Sequence, residues 1–326
     1  MRYREIREVT DQQKKDRVIR ALSKKRADDP LFDKTYKLIV GPQIGTRIEN
    51  YIRAHEDPDI GAEEIAYLVK TIPDLGTTNE VKDFVERWNA GEEFININAL
   101  IPAGGMKGPA PLLDAVTDGI PEKLFVNLTR QNFSKSDAGP AEAALAIMSQ
   151  KIRYVGENEG GDLIINGKKI EIKGGGKSLS SGGGRIYNDR HKLDITPMTQ
   201  ALAGTPYEGK SVSVVAASPT EGGLPADFPT EEFAKAVNQA WFNGKRPEIE
   251  STFGTPKFRM AWNIAMFDDY KAAAGHDGIL IIGVSQYQYI INGEQLHDFV
   301  KQTSKGVVYN AKSRQMRDLG IQVSTG

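Results

Sequence analysis

Apolar positions recur at helical intervals through the first 95 residues. Within Gln43–Ala54 they fall at Ile44, Ile48 and Ile52, and Ala62–Lys70 repeats the same spacing. Asn79–Trp88 carries Val81, Phe84 and Val85 behind Thr78 or Asn79 as a cap. Pro58, Pro73 and Gly91 punctuate these segments. Residues 1–95 therefore read as a helical N-terminal domain. Residues 96–137 are mixed in pattern, and the run PAGGMKGPAP marks them as a linker and lead-in. No repeat of roughly 20–50 residues is present, which excludes a solenoid.

From residue 138 the pattern changes. Pro140 opens a helical stretch to Arg153 with Leu145, Met148 and Ile152 on one stripe. GGDLIINGKKIEIKGGG then reads as two short strands around Asn166-Gly167, the strongest short hairpin signal. A glycine-serine loop follows over residues 174–184, then a buried strand at 211–217. Thr230–Phe242 and Lys257–Ala274 read as helices, the second stopped by Gly275, and residues 276–284 as another buried strand. Tyr287 and Tyr289 alternate beside Asn292-Gly293, which reads as a second hairpin. Trp241, Phe242, Phe258, Trp262, Phe267 and Tyr270 read as core rather than as a base-stacking platform. The order from residue 138 to the end of that strand is α-β-β-β-α-β with one additional helix.

Composition narrows the chemistry. The 326 residues, 39% hydrophobic and 26% charged, suit a soluble globular protein with a substantial core. No apolar run approaches the roughly 20 residues of a membrane span, and the charged N-terminus lacks a secretory signal's apolar stretch. No membrane partner is expected, and a cytoplasmic or virion-associated location is. Without cysteine there is no thiolate nucleophile, thiolate metal site or disulfide. Four histidines, none at zinc-ligand spacing, argue against a zinc hydrolase, so a metal here should be hard and oxygen-ligated. The net charge of −1 hides segregation: residues 1–26 carry ten Lys/Arg against four Asp/Glu, 166–192 seven against two, and 301–326 five against one. Such basic segments suit a phosphate backbone if they share a face.

The hairpin supplies the candidate chemistry. With Asn166-Gly167 as the loop, Ile165 pairs with Lys168, Ile164 with Lys169, Leu163 with Ile170, and Asp162 with Glu171. Asp162 and Glu171 are then expected directly opposed, and Lys173 shares the face of Glu171. Opposed carboxylates destabilise a hairpin unless a cation lies between them. Mg²⁺ held by one or two carboxylates keeps its waters and can serve phosphodiester hydrolysis, with a lysine beside it to orient water and neutralise phosphate.

Asp162, eight intervening residues and Glu171-Ile172-Lys173 resemble the PD-(D/E)XK nuclease superfamily. The resemblance covers roughly residues 138–284 and implies a restriction-endonuclease-like αβββαβ core with a mixed sheet. It implies a metal-dependent deoxyribonuclease, endo or exo, using Mg²⁺ or Mn²⁺. Asp162 and Glu171 would be metal ligands, with the backbone carbonyl of Ile172 as a third. Lys173 would be the catalytic lysine, and Glu142, in the first turn of the helix from Pro140, a further catalytic acid. The residue before Asp162 is Gly161 where the motif has proline. Residues 138–326 are thus expected as the nuclease domain, with DNA as substrate and a homo-oligomer or phage assembly as partner. GGGKS at 174–178 lacks a P-loop's first glycine and following helix. The loop can still carry Lys177 and Arg185 to DNA phosphates. The rival expectation is a nuclease-like fold used as a non-catalytic DNA-binding or virion structural protein.

Overall fold

The computed structural model describes residues 11–40, 58–131, 139–155, 160–175, 185–186, 195–210, 212–213, 224–283, 285–300, 307–310, 315–318 and 321–322. The protein is mixed α/β. The expected helices at the start are α1 (Asp11–Asp28), α2 (Pro30–Val40), α3 (Pro58–Thr71) and α4 (Thr78–Asn89). The helix expected over Gln43–Ala54 lies outside the described residues. α4 begins one residue earlier than its pattern implied. Thr77 is the cap: its Oγ1 accepts the Glu80 N–H, and the Glu80 carboxylate accepts the Thr77 N–H at 2.7 Å.

Residues 96–137 are more than a linker. They contribute α5 (Ile97–Leu100), β1 (Ala110–Pro111) and α6 (Ile120–Arg130), with Leu100, Leu112, Leu124, Phe125 and Leu128 buried. In α6 the stripe Leu124, Phe125, Leu128 has helical spacing that the neighbouring Gly/Pro run obscures in the sequence.

The helix from Pro140 is shorter than expected. α7 spans Pro140–Met148, and β2 (Ile152–Tyr154) takes the residues assigned to its last turn. Ser149 is the cause: it is extended (φ −147°, ψ 135°), and its hydroxyl accepts the Lys151 N–H at 3.0 Å. β3 (Leu163–Ile165) and β4 (Lys168–Gly175) follow, then β5 (Arg185–Ile186), α8 (Thr196–Leu202) and β6 (Val212–Ser213). Next come α9 (Thr230–Phe242), α10 (Pro247–Thr252), α11 (Phe258–Ala274), β7 (Gly278–Gly283) and β8 (Gln286–Ile290). α12 (Gly293–Val300), β9 (Val307–Asn310), β10 (Gln315–Asp318) and β11 (Ile321–Gln322) complete the described elements.

The main sheet has six strands in the order β1-β8-β7-β4-β3-β2. Of the strand expected at 211–217 the described residues are β6, which pairs with β9 in a separate three-stranded sheet. In the main sheet β2 fills its expected place, so helix α7 still leads into three successive strands, β2, β3 and β4, paired antiparallel. Asn292-Gly293 also departs from expectation. The Asn292 side chain accepts the Gln295 N–H at 2.9 Å, so the pair starts α12 instead of turning a hairpin.

Two compact units make up the chain, and neither is consecutive. The first comprises residues 1–103, 110–172 and 285–287; the second comprises 104–109, 173–284 and 288–326. The first is cored by the helices of the N-terminal segment with α6, α7 and the apolar faces of β2–β4. The second has an aromatic core in which Trp241, Phe242 and Phe258 surround Trp262 at centroid distances of 5.4, 5.5 and 5.8 Å. The core reading of that aromatic group therefore holds, except for half-buried Tyr270. Among the described residues no helix is long and apolar enough to cross a membrane.

Candidate metal and nuclease site

The hairpin forms with the expected loop. Asn166 (φ 51°) and Gly167 (φ 80°) both take positive φ, as a type I′ turn requires. Three of the four expected pairs follow: Ile165 with Lys168, Ile164 with Lys169, Leu163 with Ile170. Leu163, Ile165, Ile170 and Ile172 are buried, which anchors this register.

The fourth pair is a correction. Asp162 lies just outside β3 and does not stand opposite Glu171 in the ladder. Its N–H donates to the Ile170 carbonyl at 2.9 Å, the carbonyl of the residue that already pairs with Leu163. Asp162 thus folds back onto the Ile170 peptide at the end of the ladder instead of extending it. The carboxylate turns toward β4, where Oδ2 accepts the Ile172 N–H at 2.7 Å. Gly161 allows this close approach to the Ile170 peptide. Its φ is +84°, and a Cβ there would lie 3.2 Å from the Ile170 carbonyl oxygen. Proline, fixed near φ −65°, could not occupy this position, so the departure from the motif is dictated by the local backbone.

Glu171 is buried, with 8% of its surface exposed, and alternates with the apolar side chains of Ile170 and Ile172 along β4. Lys173 follows two residues later on the same strand and is half-buried. Its Nζ lies 5.7 Å from the centroid of the Tyr270 ring.

Glu142 sits in the first turn of α7, with Oε1 folded back to within 2.8 Å of where a Cβ on Gly139 would stand. A carboxylate there is favoured by the helix dipole alone. Glu142 also acts electrostatically on a second group of residues. Burial pushes the Tyr154 hydroxyl well above the usual phenol range, and the charges of Glu64 and Glu142 push it further. Glu64 on α3 is fully buried, and burial raises its carboxyl to about 9. Among the described residues no group of three or more Asp, Glu, His or Cys side chains is placed to hold a metal together. Glu142 is therefore not gathered with Asp162 and Glu171 into such a group.

The candidate donors are the Asp162 and Glu171 carboxylates and the Ile172 carbonyl. All are oxygens, and Mg²⁺ needs only one or two carboxylates besides its waters. In donor chemistry the set fits Mg²⁺ or Mn²⁺. Lys177 lies outside the described residues, and of Arg185 only its place in β5 is described.

Comparison with known protein families, curated proteins and solved structures finds no match. The reading of the site rests on its own residues.

Glu64, Tyr154 and Tyr270 were not picked out as site residues by sequence reasoning. A signal existed for Glu64: it lies one turn before Leu68 on the stripe that continues to Ile72. Tyr154 and Tyr270 carry no comparable signal: Glu64 and Lys173, which act on them, come from distant segments.

The Asp162 hydrogen bond gives a direct expectation. Asp162→Ala leaves the buried Ile172 N–H without its acceptor and lowers stability by about 1–3 kcal/mol in urea unfolding. Asp162→Asn keeps an acceptor and stays within about 1 kcal/mol of wild type. Equal losses in the two variants would show that this bond is not what the side chain contributes to the fold.

Proposed function

We propose that the chain is a Mg²⁺-dependent nuclease that hydrolyses DNA phosphodiester bonds, of the restriction-endonuclease-like kind. The observation that carries this reading is the 2.7 Å bond from Ile172 N–H to Asp162 Oδ2. It brings the isolated acid of the motif onto the middle residue of Glu171-Ile172-Lys173. The element order supports the same reading: α7, then β2, β3 and β4, then α11 and β7, with β7 next to β4 in the sheet.

In this reading Asp162, Glu171 and the Ile172 carbonyl hold the ion. Bound there, Mg²⁺ supplies an acidified water and charge stabilisation at phosphate oxygens. Lys173, two residues beyond Glu171, would orient the attacking water and offset phosphate charge. Burial of Glu171 strengthens its electrostatic influence relative to a solvated carboxylate. Asp162 would then serve twice, as acceptor of the Ile172 N–H and as a carboxylate ligand.

One observation favours the rival reading, a nuclease-like fold that binds DNA without cutting it or serves in a virion. The described residues hold no three-acid cluster. Purified protein incubated with supercoiled plasmid separates the two. Nicking or linearisation that requires Mg²⁺ or Mn²⁺ is the expected outcome, together with a rise in melting temperature of a few degrees at millimolar metal, because the ion binds the folded state preferentially. DNA retention without cleavage supports the rival. No cleavage and no metal-dependent melt overturn the nuclease reading.

A further inference from the structure

The amino group of a lysine swings on a four-carbon stem, so a lysine that must meet one reacting atom benefits from something that holds it. Lys173 has such a neighbour. Its Nζ lies 5.7 Å from the Tyr270 ring centroid, within the range where a cation is attracted to an aromatic face. Tyr270 is itself braced. It lies in the last turns of α11, and its ring meets the ring of His276 at a centroid distance of 5.2 Å and an interplanar angle of 56°. His276 is 4% exposed, so the brace is part of the packed interior rather than a mobile surface ring.

We infer that Tyr270, backed by His276, is a positioning residue that holds the Lys173 ammonium at one place beside β4. The inference rests on the reading of Lys173 as the working lysine, but the contact itself can be observed without activity. Three aligned parts make the case: a half-buried cation, an aromatic ring on a long helix, and a buried imidazole against that ring. The adjacent Asp269 and Lys271 are on the same helix, and Lys271 is committed elsewhere, its Nζ donating to the Ile291 carbonyl at 3.0 Å. Lys173 and Lys271 are thus held by different partners.

The test uses the full-length protein with its lysines reductively ¹³C-methylated, a change that keeps their charge. The Lys173 signal is assigned by its loss in Lys173→Arg. The expected result is a Lys173 signal shifted upfield of the bulk lysines by the Tyr270 ring current, retained in Tyr270→Phe and returned to the bulk position in Tyr270→Leu. In plasmid cleavage, Tyr270→Leu lowers kcat by roughly 2- to 30-fold, the range of a single cation–π contact, with little change in KM. Tyr270→Phe restores it. A Lys173 signal at the bulk position in wild type, or one indifferent to Tyr270→Leu, overturns the inference. Should wild type fail to cleave DNA at all, the nuclease reading falls, and the methyl signal still decides whether Tyr270 holds Lys173.

Discussion

Glu171→Gln and Lys173→Ala each lose about 10²- to 10⁴-fold of Mg²⁺-dependent DNA cleavage, the range expected when a metal ligand or a charge-stabilising donor is removed. Gln is the informative substitution at Glu171. The side chain is buried, and Gln keeps its shape and one acceptor while removing the charge an ion needs. Lys173 is half-buried and follows on the same strand, so Ala removes the ammonium at modest structural cost. Circular dichroism melts within a few degrees of wild type accompany the loss of activity. Turnover within tenfold of wild type for either variant, measured on supercoiled plasmid, would remove that residue from the catalytic assignment.

The second large effect concerns stability. Glu64 is fully buried on α3, and burial raises its carboxyl from 4.5 to about 9. Below pH 4.5 the group is neutral in both folded and unfolded chains and makes no difference. As pH rises from 4.5 toward 9, the unfolded chain ionises and the folded one does not, so stability falls by up to about 1.4 kcal/mol per pH unit. At pH 7 the loss is of order 3 kcal/mol. The carboxyls of Asp33, Glu80 and Glu231 are shifted the other way by hydrogen bonds, so their contribution fades only in acid. Glu64→Gln should therefore flatten the fall between pH 5 and 9 and be the more stable protein at alkaline pH. Urea unfolding at a series of pH values reads this directly. Parallel profiles for wild type and variant would show that Glu64 is not held neutral by the fold.

The hairpin was legible because its causes are local. Asn166-Gly167 imposes the turn, and the alternation of Leu163, Ile165, Ile170 and Ile172 imposes the register. The α4 cap was legible to within one residue for the same reason. Features set by distant partners were not. β2 reads as helix from its own apolar spacing, and only Ser149 and pairing with β3 make it a strand. The placement of Asp162 depends on the positive φ of Gly161 against the Ile170 peptide, which no periodicity encodes. The residues that the hairpin carries were legible, while their mutual geometry was not: a one-residue shift exchanged an opposed acid pair for a carboxylate bonded to Ile172.

The interleaving of the two compact units has a consequence for synthesis on the ribosome. The first unit holds almost all of its residues by position 172, yet its last segment is 285–287. That segment is tied in at several points: Ala110 pairs with Tyr287, the Leu112 N–H donates to the Ser285 carbonyl at 2.8 Å, and the Tyr287 hydroxyl donates to the Ala99 carbonyl at 3.1 Å. At roughly 5–20 residues per second, the ribosome takes on the order of ten seconds to deliver it after residue 172. Throughout that interval β1 waits without its pairing strand, and the nascent chain carries an open sheet edge of the kind that invites association with other chains.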